Sequence, residues 1–123
     1  MSPRHVPATT HELSRIGLLA GLGGERLTAL AGRMRRETAP AGGAVTIEGE
    51  VDDRFYVLLS GMMSVSQNAL GARRVLAPGD YFGEVAAAMG VPRTASVRAL
   101  TPVTLASCDR ETFEEFVLPI LTE

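Results

Sequence analysis

Glu84 and Arg93 stand nine residues apart in the run 79–100, GDYFGEVAAAMGVPRTASVRAL. A carboxylate offers only acceptors, and a guanidinium offers only donors in a fixed fork. The residues around them predict how the two are presented. Gly79-Asp80 makes a turn, Phe82-Gly83-Glu84 leads into a short Ala-rich helix, and Pro92-Arg93 turns the chain into the alternating run Thr94-Ala95-Ser96-Val97-Arg98-Ala99. A strand end, one helical turn, a tight turn and a second strand direct several free backbone N–H groups at one spot. Arg93 arrives there from the side, and an anion is the natural occupant. Binding is the chemistry on offer, not bond breaking. The only histidines, His5 and His11, precede the strands, so no Ser-His-Asp or Cys-His set can be assembled within them.

The elements that must hold this run follow from periodicity. Between Thr10 and Met34 the pattern is helical, with Thr10 as the expected N-cap and His11-Glu12 in the first turn. Leu13, Ile16, Leu19 and Leu22 recur near a helical period, as do Leu27, Leu30, Ala31 and Met34. Gly21, Gly23 and Gly24 divide the run into two expected helices. Beyond Arg36 the period shortens. Pro40 to Gly43, Gly49-Glu50, Ser60-Gly61 and Pro78-Gly79 punctuate apolar runs, which predicts strands near 37–39, 44–47, 54–59, 62–68, 73–76, 94–99 and 103–108. Ser60-Gly61 reads as a hairpin and Asn68 to Gly71 as a second turn. After Asp109, an N-cap, the residues Phe113, Phe116, Val117, Ile120 and Leu121 give a closing helix its apolar face. Pro119 is expected to kink or end it. The expected fold class is α+β, mainly β: an antiparallel β-roll or jelly-roll barrel with N-terminal helices, a short helix in the central cassette and a C-terminal lid helix.

Composition narrows the setting. A chain of 123 residues is one domain that can bury a core without staples. The first ten residues read as a leader or linker and 11–123 as the folded domain. The formal net charge of -2 gives no reason to expect direct nucleic-acid binding. The basic groups Arg33, Arg35, Arg36 and Arg73-Arg74 read as solvated faces. A single Cys108, set in an apolar run, reads as a buried inert thiol in a reducing compartment, and the chain as cytoplasmic. No apolar stretch approaches the ~18 residues of a membrane span.

The run 79–100 resembles the phosphate-binding cassette of the cyclic nucleotide-binding domain family. The matching residues are Gly79-Asp80, Phe82-Gly83-Glu84, Ala86, Pro92-Arg93-Thr94-Ala95 and Val97-Arg98-Ala99. The likeness extends to Leu18-Leu19-Ala20-Gly21-Leu22, to Gly49, and to Phe55-Tyr56-Val57-Leu58 with Ser60-Gly61, covering about residues 12 to 118. The resemblance implies a cyclic nucleotide as ligand, cAMP first and cGMP possible, with no cofactor and no catalysis. It implies that Arg93 pairs with the cyclic phosphate and that backbone N–H groups near Ala86 and Thr94 complete the anion pocket. Glu84 would accept from the ribose 2′-hydroxyl, Gly83 would let backbone and sugar approach, and Ala86 and Ala87 would leave room. Phe82, Val85 and Ala95 complete the implied binding set, although Phe82 and Val97 also read as core. Thr94 can bond the phosphate or the 2-amino group of a guanine.

The function so implied is a regulatory module that relays binding through the C-terminal helix, with Phe113, Phe116 or Leu121 as candidate lids. It would belong to a longer channel, transporter or signalling protein with a fused or associated effector domain. Two alternatives share the fold: the ligand-binding half of a catabolite-activator-type transcription regulator, and a degenerate domain serving as an interaction platform. A cupin-type metalloenzyme would need several histidines converging from strands, which this sequence does not place there.

Overall fold

The computed structural model describes residues 6–122. Three helical pieces open it: α1 (Thr10–Ser14), a 3₁₀ turn (Gly17–Gly21) and α2 (Gly24–Arg33). The sequence predicts two helices, but the Gly residues and the short spacing of Leu18-Leu19 tighten the middle piece into a separate turn. Thr9, not Thr10, caps α1. Its hydroxyl accepts from the Glu12 N–H at 3.0 Å, while the Glu12 carboxylate accepts from the Thr9 N–H at 3.0 Å. This reciprocal pair satisfies two donors that no carbonyl can reach. Thr9→Ala is expected to remove about 1 kcal/mol of stability. A chemical-denaturation midpoint lowered without a change in slope would show it.

Eight strands follow: β1 (Arg35–Ala39), β2 (Ala44–Thr46), β3 (Phe55–Ser60), β4 (Met63–Gln67), β5 (Gly71–Leu76), β6 (Tyr81–Phe82), β7 (Ser96–Ala99) and β8 (Val103–Cys108). They form two antiparallel four-stranded sheets, ordered β1-β8-β3-β6 and β2-β7-β4-β5. This is the antiparallel β-roll expected from the alternation of short apolar runs. Two details differ from the sequence reading. Tyr81–Phe82 pairs with Val57 and Tyr56 as a two-residue strand, too short to carry a period of its own. Ser60-Gly61 is not a hairpin within one sheet, because β3 pairs with β8 and β6 whereas β4 pairs with β5 and β7. The turn is instead a corner between the sheets. Gly61 adopts φ +88°, and a Cβ there would lie 2.3 Å from the Pro102 carbonyl oxygen.

Alternation along β3 and β8 divides the interior in two. Tyr56, Leu58, Val103 and Leu105 face the space between the sheets, with Met63, Leu76, Phe82, Val97 and Ala99. Phe55, Val57, Ala106 and Cys108 face the helices, against Leu13, Ile16, Leu19, Leu30, Met34 and Phe113. The sheet containing β3 is therefore buried on both faces. Burial pushes the Cys108 thiol up to about 12, so it is an inert packing group. Of the first ten residues, 1–5 (His5 among them) lie outside the described residues. Ala8 is buried, its N–H bonds the Met34 carbonyl at 3.1 Å, and Pro7 bridges to Arg35.

The closing helix α4 runs in three stretches: Arg110–Thr112, a wider π-helical turn at Phe113–Val117, and Leu118–Leu121. Asp109 caps it as expected, accepting from the Thr112 N–H at 2.9 Å. Pro119 does not end the helix. It lacks the N–H that the Glu115 carbonyl would receive, and the wider turn precedes it. Arg26 on α2 donates to that carbonyl at 3.1 Å instead. Arg26 and Arg33 lie over the Phe116 ring at 4.7 and 5.3 Å, and Arg33 pairs with Glu115 at 2.6 Å. The basic cluster on α2 and β1 is otherwise a solvated face, with Arg36 paired to Glu12 and Arg35 to Glu37. Among the described residues no helix is long and apolar enough to cross a membrane.

Candidate functional site

Helix α3 (Glu84–Met89) starts where β6 ends, and Gly83 is the pivot. With φ +88° it adopts the left-handed conformation that glycine accepts without strain. It also has no room for a side chain: a Cβ would meet the Arg54 carbonyl oxygen at 2.6 Å and Arg93 Nη1 at 2.9 Å. The α3 N–H groups of its first turn, Glu84 to Ala86, have no helical carbonyl behind them. Gly90, again left-handed, ends the helix, and Pro92 turns the chain back toward β7.

Arg93 is held from four sides by the connection between β2 and β3. Its N–H donates to the Glu50 carbonyl at 2.9 Å and its carbonyl accepts from the Gly49 N–H at 2.9 Å. Its Nη2 donates to the Arg54 carbonyl at 2.9 Å and pairs with Asp52 at 3.0 Å. The residue is 5% exposed, yet among the described residues its Nε and Nη1 have no hydrogen-bond partner. Leaving two nitrogens of a buried cation, with three N–H groups between them, unpaired is costly unless a ligand completes them. Asp52, not Glu84, is the carboxylate partner of Arg93. Burial works against ionisation of Asp52, but the Arg54 N–H and the Arg93 guanidinium outweigh it and hold its carboxyl below the usual range.

Above this cation lies an open cleft lined by Thr46, Val65, Arg74, Phe82, Gly83, Glu84, Val85, Ala86, Arg93, Thr94, Ala95 and Val97. Residues 82–86 and 93–95 of the predicted set all line it, whereas Ala87, expected to leave room for the ligand, turns away and packs with Phe113 and Phe116. Phe82 and Val97 are at once core and wall, 5% and 3% exposed. Behind that wall Tyr56 stacks on Phe82 at 4.9 Å, with the Arg93 guanidinium 5.8 Å from its ring. Thr46, Val65 and Arg74 join the cleft from outside the predicted set; Asp52 and Arg54, also outside it, hold Arg93 without lining the cleft.

The sequence hints at Arg74 only through its place two residues before Leu76, which is buried. Pairing opposite Val65 sets Arg74 on the cleft side of β5, where it stays exposed to solvent. The bulge between Val65 and Ser66 leaves Arg73 out of the pairing. Phe113, Phe116 and Leu121 do not line the cleft. Phe113 packs on Phe55 at 5.1 Å and Phe116 sits under Arg26 and Arg33. His11 is exposed on α1, and no group of three or more His, Cys, Asp or Glu among the described residues could hold a metal ion.

A β-roll whose cleft ends on a buried, half-satisfied guanidinium has the architecture of a ligand-binding domain. Comparison with known proteins identifies its family. The family described as cyclic nucleotide-binding domain matches residues 36–118, and the chain belongs to that family. It is 34% identical over 110 residues to a cAMP-dependent protein kinase regulatory subunit of Yarrowia lipolytica, covering 89% of this chain and 29% of that protein. It is 30% identical over 109 residues to a CRP-like cAMP-activated global transcriptional regulator of Mycobacterium tuberculosis, covering 85% of this chain and 49% of that one. Among solved structures, "cAMP bound PfPKA-R (141-441)" superposes with a TM-score of 0.86 at 26% identity, over 90% of this chain and 39% of its own. The chain thus spans less than half the length of each of these relatives.

Proposed function

We propose that this domain binds a cyclic nucleotide and serves as a regulatory module, not as a catalyst. The observation that carries the reading is Arg93, whose Nε and Nη1 are buried beside the cleft without partners among the described residues. A cyclic phosphate supplies two exocyclic oxygens, which suit a guanidinium fork. In this reading Arg93 holds the phosphate and the first-turn amides at Val85 and Ala86 assist. Glu84 accepts from the ribose 2′-hydroxyl, and Gly83 admits the sugar edge. Phe82, Thr94 and Ala95 close the pocket sides.

cAMP is the first ligand of this reading, and Arg74 with Thr94 gives cGMP a specific claim. Arg74 is a donor-only side chain in the cleft wall, suited to the O6 and N7 acceptors of guanine. The Thr94 hydroxyl can accept from the guanine 2-amino group. Titration calorimetry with cAMP and cGMP side by side is expected to give micromolar affinity or better for at least one. No heat and no thermal shift with either at millimolar concentration would overturn the proposal.

Relay would run through α3. Its Ala87 packs in the same cluster as Phe113, Phe116 and Val117 of α4, so ordering of the cassette bears on the closing helix. A ligand moves that helix only through unequal affinity for its two positions. The module would regulate a fused or associated effector in a longer cytoplasmic protein, a reading supported by its likeness to part of a kinase regulatory subunit. The alternative, the sensor half of a transcription regulator, is favoured by the CRP-like relative.

A further inference from the structure

Arg54 has a second role that the cleft alone does not reveal. Its carbonyl is one of the acceptors that hold Arg93 Nη2. Its own N–H is fixed by Asp52 at 3.1 Å. Its guanidinium reaches across to β8, where Nε and Nη2 donate to the Ser107 hydroxyl at 3.3 and 2.9 Å. Ser107 is wholly buried and donates in turn to the Glu37 carboxylate on β1. Glu37 also pairs with Arg35 at 3.4 Å. Ser107 lies directly opposite Tyr56, the residue stacked behind Phe82, on β3 and opposite Arg35 on β1. A charged chain therefore crosses three strands beneath the cleft and ends on the carbonyl that holds the anion-binding arginine.

A hydroxyl with no solvent exposure, taking donors from a cation and giving its proton to a carboxylate, is satisfied only in this arrangement. We propose that Glu37, Ser107 and the Arg54 side chain are positioning residues for Arg93. They pin the segment 52–54 so that the Arg54 carbonyl and the Asp52 carboxylate engage only Nη2, leaving Nε and Nη1 for the ligand. Without the pin, segment 52–54 keeps only the Asp52–Arg54 turn bond and its contacts to Arg93 Nη2, the group it has to hold. The carbonyl then shifts, and Arg93 loses the orientation that presents its two free donors to the cleft. The inference rests on the proposed binding of a cyclic nucleotide for its consequence, but not for its geometry.

The test uses Ser107→Ala and Arg54→Met, the second keeping the side-chain stem and the backbone carbonyl. In nucleotide-free protein, the Arg93 Nε–H resonance is expected to shift in both variants and to exchange with solvent at least about tenfold faster than in the wild type. Titration with cAMP and cGMP is expected to show about tenfold weaker binding in each variant. Combined with Arg93→Ala, either substitution should add less than about twofold to the loss that Arg93→Ala causes alone. An Arg93 Nε–H signal unchanged in both variants, or a loss that adds in full on the Arg93→Ala background, would overturn the proposal. If the wild type binds neither nucleotide, the proposed function falls, and the resonance of Arg93 still decides the positioning role.

Discussion

Arg93→Ala is expected to weaken cyclic-nucleotide binding about 100-fold while changing the stability of the free domain little. The two halves of this expectation come from the same geometry. In the free protein the guanidinium is buried with Nε and Nη1 unpaired, so its desolvation is only partly offset. Its partner Asp52 keeps 38% of its side chain exposed and retains the Arg54 N–H when the guanidinium is gone. Truncation therefore strands no deeply buried charge. In the complex, by contrast, the phosphate would be left in the cleft without its cation. A thermal-shift series tests both together. At a ligand concentration of about 100 times the wild-type dissociation constant, the wild type gains about 2.7 kcal/mol. The variant at that concentration gains only about 0.4 kcal/mol, because its own dissociation constant equals the concentration used. Equal ligand-induced shifts in the two proteins would show that Arg93 does not touch the phosphate.

The second large effect is expected at Gly83. Replacing it with alanine forces an L-residue into φ +88°, at a cost of about 1–2 kcal/mol. It also places a methyl group 2.6 Å from the Arg54 carbonyl oxygen and 2.9 Å from Arg93 Nη1. The carbonyl belongs to backbone pinned on three sides and cannot yield as a flexible side chain would. Arg93 must move instead. Gly83→Ala is thus expected to lose more than about 2 kcal/mol of stability and at least about tenfold in affinity. Gly42→Ala is the matched control. Gly42 has φ +84°, but a Cβ added there would meet nothing within 4 Å, so it should lose only the conformational part and bind normally. Denaturation and titration of the two variants in parallel would separate strain from displacement. Equal behaviour would show that the crowding at Gly83 is without consequence.

Much of the site was legible because it is local. Gly83, Glu84 and the Ala-rich turn sit within a few residues of one another, and Pro92-Arg93 must turn the chain back. The turn chemistry and the identity of the donors and acceptors are carried by that run alone. The fold class was legible for a related reason. Alternation of period 2 after Arg36, broken by Gly and Pro, says strand without saying which strand pairs with which. Where the signal was shorter than its period, it failed. Tyr81–Phe82 is a two-residue strand, and Ser60-Gly61 looks like any hairpin turn until β3 and β4 are found in different sheets.

What the amino-acid order determined by itself was the cassette: a glycine pivot, a short helix and an arginine turned back beside them. What only the tertiary structure decided was the company that arginine keeps. Asp52 and the Arg54 carbonyl come from a connection about 40 residues away, and the Ser107 hydroxyl that anchors Arg54 lies 53 residues beyond it. Arg74, one of an ordinary basic pair, enters the cleft because of its register against Val65 beside a bulge. Hydrogen bonds between distant strands depend on sheet order and register, and neither leaves a period or a spacing in the chain. The arginine's two unpaired nitrogens, on which the proposed binding rests, are singled out only once those distant partners have taken up the third.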